Sequence, residues 1–231
     1  MNNLKAKTIG MVVAMDKEIK PFLDKLNSEF KIEKVGGYEV FSYTIKDKKV
    51  YLIKSGIGEI YAAGATAILV SVYKCELILN FGVVGSLHSG VDVCETVIVK
   101  GVVHYDFDLS KIDDVKVGEY PNMQGAILNT DKGFLDFALS INDTLKPVIC
   151  ASADKFVADE DIKENLHKTF GADVCDMESA GVLLTSLNAG VPTLIIKAVS
   201  DGKGGAEEFI KRVKSASMVY IDTVSKILET V

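Results

Sequence analysis

The chain has 231 residues, 48 % of them hydrophobic and 25 % charged, with a formal net charge of -6. That apolar content is ample for a full core. The acidic balance, with lysines scattered rather than grouped, argues against a nucleic-acid partner, which needs a clustered basic face.

Short apolar runs alternate with helical patterns from end to end. "TIGMVVA" (8–14) reads as a strand, and Met15, Ile19, Phe22, Leu23 and Leu26 then recur at helical spacing. "GYEVFSYTI" and "KVYLIKSGI" form a hairpin with its turn near Lys46-Asp47-Lys48. Residues 58–74 make a second helix rich in small side chains, suited to close packing against a sheet. A buried strand over 75–87 runs into glycines, and 95–109 reads as one long strand. A helix ("DKGFLDFALSIN"), a strand ("PVICASA") and a surface helix (159–170) follow.

Next comes "DMESAGVLLTSLNAGVPTLIIKAVSDG" (176–202). Ala180, Leu183, Leu184 and Leu187 mark a helix that Gly190 and Pro192 stop, and "TLIIKAV" is a buried strand. A last helix carries Phe209, Val213, Tyr220, Val224 and Leu228 on one side. Alternating strands and helices predict an α/β fold, a mixed or parallel sheet covered on both faces. No linker or repeat interrupts 1–231, which reads as one domain.

The residue inventory narrows the chemistry. Cys75, Cys94, Cys150 and Cys175 lie far apart, without a Cys-x-x-Cys pair. His88, His104 and His167 show no zinc spacing. Reduced thiols in a cytoplasmic protein are expected, with no metal. The opening residues lack an apolar leader with a cleavage site, and no run is long enough to span a membrane. Arg212 is the single arginine, so an arginine cluster for anions is not available.

Three acids stand at strand ends, where ligands of open α/β sheets gather. Glu18 sits in the first turn after the first strand, Glu178 opens the helix after "GADVC", and Asp201 ends "TLIIKAV". Each has a local explanation. Glu18 and Glu178 could be favoured by a helix dipole, and Asp201 could cap the turn "DGKGG". Together, at corresponding ends of three separate elements, they point to a site. "SGIGE" (55–59) and "FGVVG" (81–85) add glycines where backbone can approach a ligand. Neither matches a dinucleotide or P-loop fingerprint. Phe156 could stack on a flat ring or plug the core.

These pieces in this order resemble the purine nucleoside phosphorylase/hydrolase superfamily, and most of all its bacterial 5′-methylthioadenosine/S-adenosylhomocysteine nucleosidases. The resemblance covers nearly the whole chain. It rests on "GMVVAMDKEI", "SGIGEIYAAGAT", and "DMESAGV" followed by "KAVSD". It implies a three-layer sandwich around a central mixed, twisted sheet, and hydrolysis of the N-glycosidic bond of a 5′-modified purine nucleoside without a cofactor.

The resemblance also implies roles. Glu18 matches the base that activates water, and Asp201 the acid that protonates N7 of the leaving purine, oriented by Ser200. Glu178 matches the acid that holds the ribose hydroxyls, with Met15 and Met177 packed against the sugar. Phe156 matches the ring stacked on the base, and Val157 the neighbour whose backbone reads its edge. Ile57 matches a wall of the 5′ pocket, and Val84 and Gly85 line the substrate site. Leu109, Ile112 and Pro121 would complete the pocket of a neighbouring subunit, which implies a homodimer, and the resemblance itself suggests methionine salvage as the setting. Phosphorylases of the superfamily hold phosphate with arginines that this chain lacks, so water is the expected acceptor. A phosphorylase or a non-catalytic binding protein on the same scaffold are the alternatives. The sequence departs from the family at Gly82-Val83-Val84-Gly85, at Ala153, and at Lys197, where arginine is common.

Overall fold

The computed structural model describes residues 5–26 and 29–231; part of the stretch read for a leader, residues 1–4, lies outside them. Strand β1 (Thr8–Val13) leads into α1 (Asp16–Leu26). Strands β2 (Lys31–Val35), β3 (Tyr38–Ile45) and β4 (Lys48–Lys54) form a meander, then come α2 (Glu59–Ser71) and β5 (Leu77–Ser86). Strands β6 (Thr96–His104) and β7 (Ile127–Asn129), helix α3 (Lys132–Ile141), β8 (Lys146–Ser152) and α4 (Glu160–Phe170) follow. The chain closes with β9 (Val174–Asp176), α5 (Ser179–Ala189), β10 (Thr193–Asp201), α6 (Gly205–Val219) and α7 (Ile221–Thr230).

The ten strands among the described residues belong to one mixed sheet, ordered β10-β6-β8-β9-β5-β1-β4-β3-β2, with β7 on β6. β5 also pairs with β10 in parallel, so β5, β10, β6, β8 and β9 close into a ring. The alternation of strand side chains separates two apolar layers. Met11, Leu79, Phe81, Ile196 and Ala198 face Phe22 of α1, Phe134 of α3 and Val213 and Val224 of α6 and α7. On the opposite face Val12 and Ile78 meet Ala62, Ala65 and Leu69 of α2 and Val182 of α5. The α/β sandwich expected from the sequence is present.

Several local expectations need correction. The strand read over 95–109 ends at His104, because its polar second half turns away from the sheet. The last helix is two helices meeting at Tyr220, whose side chain is fully buried and donates to Glu18 O at 3.1 Å. The pattern of apolar residues continues across that junction, which hid it. Strands β2, β7 and β9 escaped the reading because β2 carries alternating charges at an edge and the other two are three residues long.

Helix α2 packs against α5 as well as the sheet. A Cβ on Gly181 would lie 2.4 Å from the Glu59 carbonyl oxygen, a distance no side chain tolerates. Gly181→Ala is therefore expected to push the helices apart and lower stability by about 1–3 kcal/mol, measurable by thermal or urea unfolding.

Candidate active site

The carboxyl ends of β1, β5, β9 and β10 surround a cavity of ≈ 250 Å³. Its walls include Met15, Glu18, Ile57, Val84, Gly85 and Phe156. Met177, Glu178, Ser200 and Asp201 complete the group. Ten residues singled out in the sequence thus meet in one place. Val157 does not line it; its side chain is buried with Leu87, Val103 and Leu166 behind the wall. Leu109, Ile112 and Pro121 lie on the segment after β6, away from this cavity, and Ile112 is exposed.

Each acid is held differently. Glu18 Oε2 accepts from Met15 N–H at 2.8 Å, the backward half of a capping box, while Oε1 accepts from Val83 N–H at 2.8 Å. Both oxygens are thereby aimed. A Cβ on Gly82 would lie 2.6 Å from Oε1, so the bare backbone of β5 makes room for the acid. Burial raises the Glu18 pKa, against the pull of Lys197 and those backbone donors, and so strengthens it as a base.

Glu178 occupies the N-cap position of α5 but makes no cap bond there. Asp176 does that work instead: it accepts from Ser179 N–H at 3.2 Å, and Ser152 Oγ donates to it at 2.7 Å. Glu178 reaches across to α2, where Gly58 N–H donates to its Oε1 at 3.0 Å. Beside it Asp154 accepts from Glu59 N–H at 2.7 Å. Two distant carboxylates thus cap the start of α2, where the dipole favours negative charge. Burial and the nearby Asp176 push the Glu178 pKa up.

Asp201 is not the cap of its turn either. Glu208 takes Gly202 N–H at 2.8 Å and Gly204 N–H at 3.3 Å. The pairing of β10 with β5 slips between Val199 and Asp201, a bulge of the kind that re-aims a side chain, and both Ser200 and Asp201 reach the cavity. Ser200 Oγ lies 2.8 Å from Asp201 Oδ1 and 3.1 Å from Val84 O. Its single proton can serve the ionised carboxylate or, when Asp201 is protonated, turn to the carbonyl. Lys163 Nζ stands 3.3 Å from Oδ2. Burial holds the Asp201 pKa above the usual range, opposed by Ser200 and Lys163 and aided by Glu208.

The flat wall of the cavity is aromatic. Phe156 is 43 % exposed, and Phe209 meets it edge-on with centroids 5.4 Å apart. A ring left this open is not a core plug and leaves a face free for stacking. Phe209, Val83, Cys175 and Asp176 also line the cavity, and the sequence reading had not placed them there. In the sequence Phe209 is only one more apolar position on a helix.

Beneath the cavity lies a buried ion pair. Lys197 Nζ sits 2.9 Å from Asp176 Oδ2, both side chains 2 % exposed. Burial opposes charge on each, yet each favours the other's ionised form, so the Asp176 pKa falls and that of Lys197 rises. Lys197 is thus the cation within the field of Glu18 and Glu178.

Among the described residues one group could approach a metal: His88, His167 and Asp173, with ligand atoms within 4.8 Å of one another. Sequence spacing had hidden it. Its bonds are already assigned, however. Gly90 N–H donates to His88 Nδ1, which leaves the ring proton on Nε2, 3.0 Å from Asp173 Oδ1. A metal at Nε2 would have to displace that proton.

The chain belongs to the phosphorylase superfamily, whose family model matches residues 8–231. It is similar to a 5′-methylthioadenosine/S-adenosylhomocysteine nucleosidase of Halalkalibacterium halodurans, 30 % identical over 91 % of this chain and 95 % of that one. It is also similar to the aminodeoxyfutalosine nucleosidase of Campylobacter jejuni, 28 % identical over 87 % and 88 % of the two chains. Among solved structures, a Neisseria meningitidis 5′-methylthioadenosine/S-adenosylhomocysteine nucleosidase in complex with methylthio-immucillin-A superposes with a TM-score of 0.90, at 25 % identity, over 97 % of this chain and 100 % of that one.

The raised Glu178 pKa has a consequence for stability. A carboxyl with a raised folded pKa stabilises the fold below its unfolded pKa and loses that contribution as pH rises through the folded value. Glu178→Gln, which keeps an acceptor for Gly58 N–H and does not titrate, is expected to be more stable than the wild type above neutrality. The gain is on the order of 1–2 kcal/mol and shrinks toward about pH 4. Thermal unfolding across that range checks it.

Proposed function

We propose that the chain, folded as one domain, is an N-glycosyl hydrolase that splits a 5′-modified purine nucleoside into free base and ribose derivative. Methylthioadenosine, S-adenosylhomocysteine and their relatives are the substrate class. The observation that carries this reading is the convergence of three separately held carboxyls and one open aromatic ring on a single cavity.

Breaking the C1′–N9 bond sends its electron pair to the base and builds positive charge on the ribose. Asp201, whose pKa burial raises, passes its proton to N7 and relieves the first charge. A water aimed by Glu18 adds its oxygen to C1′, and its proton passes to that carboxylate. Acid and base at opposite faces of the sugar follow the logic of inverting glycosidases. Glu178, with Oε1 anchored on Gly58 N–H, holds the ribose hydroxyls. Met15 and Met177 cover the sugar, Phe156 stacks on the base and the backbone at Val157 reads its edge. Ile57, Val84 and Gly85 line the remaining walls. The chemistry asks for no cofactor.

The placement of cations supports water over phosphate as acceptor. Arg212 is exposed on α6, and the buried lysines nearest the site are each engaged by a carboxylate, Lys197 by Asp176 and Lys163 by Asp201. A homodimer is part of the same proposal. Leu109, Ile112 and Pro121 would close the neighbour's 5′ pocket, and exposed Ile57, Ile60 and Tyr61 at the start of α2 offer an apolar face for it. The four free cysteines suit the cytoplasm, and methionine salvage is the proposed setting.

Two experiments test this. A panel of methylthioadenosine, S-adenosylhomocysteine, aminodeoxyfutalosine and inosine is assayed for free base with and without phosphate. Release that is independent of phosphate is expected; strict dependence would make the protein a phosphorylase, and binding without release a storage protein. Asp201→Asn is expected to lower kcat by about 10²–10⁴-fold with a small change in KM. An unaltered kcat removes Asp201 from the mechanism.

A further inference from the structure

Helix α4 carries a lysine on its buried face. Lys163 is 4 % exposed, one helical turn before buried Leu166. Its Nζ donates to Gly202 O at 2.6 Å and lies 3.3 Å from Asp201 Oδ2. A buried ammonium is costly unless paired, and the pairing here is with the carboxyl assigned above as the proton donor. Lys163 also lines a second cavity, of ≈ 540 Å³, together with Glu160, Glu164 and Glu208. It thus touches Asp201 from the side of that cavity.

We propose that Lys163 is a positioning residue for the acid step, which holds the Asp201 carboxyl in place and stabilises the carboxylate left when its proton passes to the purine. The inference rests on the nucleosidase reading. When the proton goes to N7 and the C1′–N9 pair leaves with the base, Asp201 becomes an anion inside the protein. Lys163 is the cation beside it. The attraction is weaker while Asp201 is neutral and stronger once it is charged, which is the differential that accelerates a step.

The other groups around Asp201 cannot take that part. From its own strand, Ser200 supplies a hydroxyl without charge. From α6, Glu208 adds negative charge, although its carboxylate is turned to the Gly202 and Gly204 N–H groups. From β9, Cys175 is a thiol whose pKa burial pushes up to about 12, so it stays neutral. From β5, Gly85 presents no side chain, and a Cβ there would lie 3.1 Å from Asp201 Oδ2.

The sign follows. Without the ammonium the carboxylate form is disfavoured, so Asp201 keeps its proton to higher pH but gives it up less readily. In Lys163→Gln, and in Lys163→Met as a second variant, the alkaline limb of kcat/KM is expected to move up by about one to two pH units. The plateau kcat should fall roughly 3- to 10-fold. Lys163→Arg, which restores a cation, should return the limb toward the wild type. A merely structural tie to Gly202 would lower the rate at every pH and leave the limb in place, and that result overturns the proposal.

A titration of the Asp201 carboxyl by ¹³C NMR in wild type and Lys163→Gln reads the same coupling without turnover. An upward displacement of its midpoint supports the proposal, and an unchanged midpoint overturns it. Failure of the wild type to release base from any nucleoside sinks the nucleosidase reading separately, because the titration does not depend on it.

Discussion

The buried Asp176–Lys197 pair is the interaction on which the rest of the site depends. It joins the end of β9 to β10 in a region where both side chains are shut off from water. Asp176 also receives Ser152 and Ser179, and through them fixes β8 and the first turn of α5. Met177 and Glu178 follow directly in sequence, so their placement is a consequence of that knot. Paired charges of this kind add little net stability, since desolvation offsets attraction. Their effect here is on position, and on the field that Lys197 exerts on Glu18 and Glu178.

A second constraint is how closely backbone must approach side chain. Glu18 needs the missing Cβ of Gly82, and the α2–α5 contact needs the missing Cβ of Gly181. The latter brings the start of α2 near Glu178, so that the packing of two helices sets a hydrogen bond at the cavity wall. The ring of β5, β10, β6, β8 and β9 makes this possible, because it draws the carboxyl ends of β5, β9 and β10 to one point.

The carboxyls of the site are kept where burial works against their charge. Burial raises the pKa values of Glu18, Glu178 and Asp201, a state that costs folding stability. The division of labour comes from the surroundings. Two backbone N–H groups aim both oxygens of Glu18, whereas Asp201 is met by a hydroxyl and an ammonium. The same residue class is thereby held in two different surroundings.

The sequence alone determined the alternation of strands and helices, because apolar periodicity is set by local geometry and survives without knowledge of contacts. It also pointed to Glu18, Glu178 and Asp201, since acids at the ends of apolar runs are visible in one dimension. It left each with two explanations. Only the tertiary structure decided between them: Asp176 caps α5 and Glu208 caps the turn after β10, so Glu178 and Asp201 are not spent on local caps. Lys163 looked like one more charge on a surface helix, and Lys197 like a departure from a common arginine. Both are buried partners of acids far away in sequence. The break at Tyr220, the short strands and the closure of the ring were equally illegible. Burial and pairing across distant segments depend on how the sheet folds back on itself, and no pattern within one segment records that.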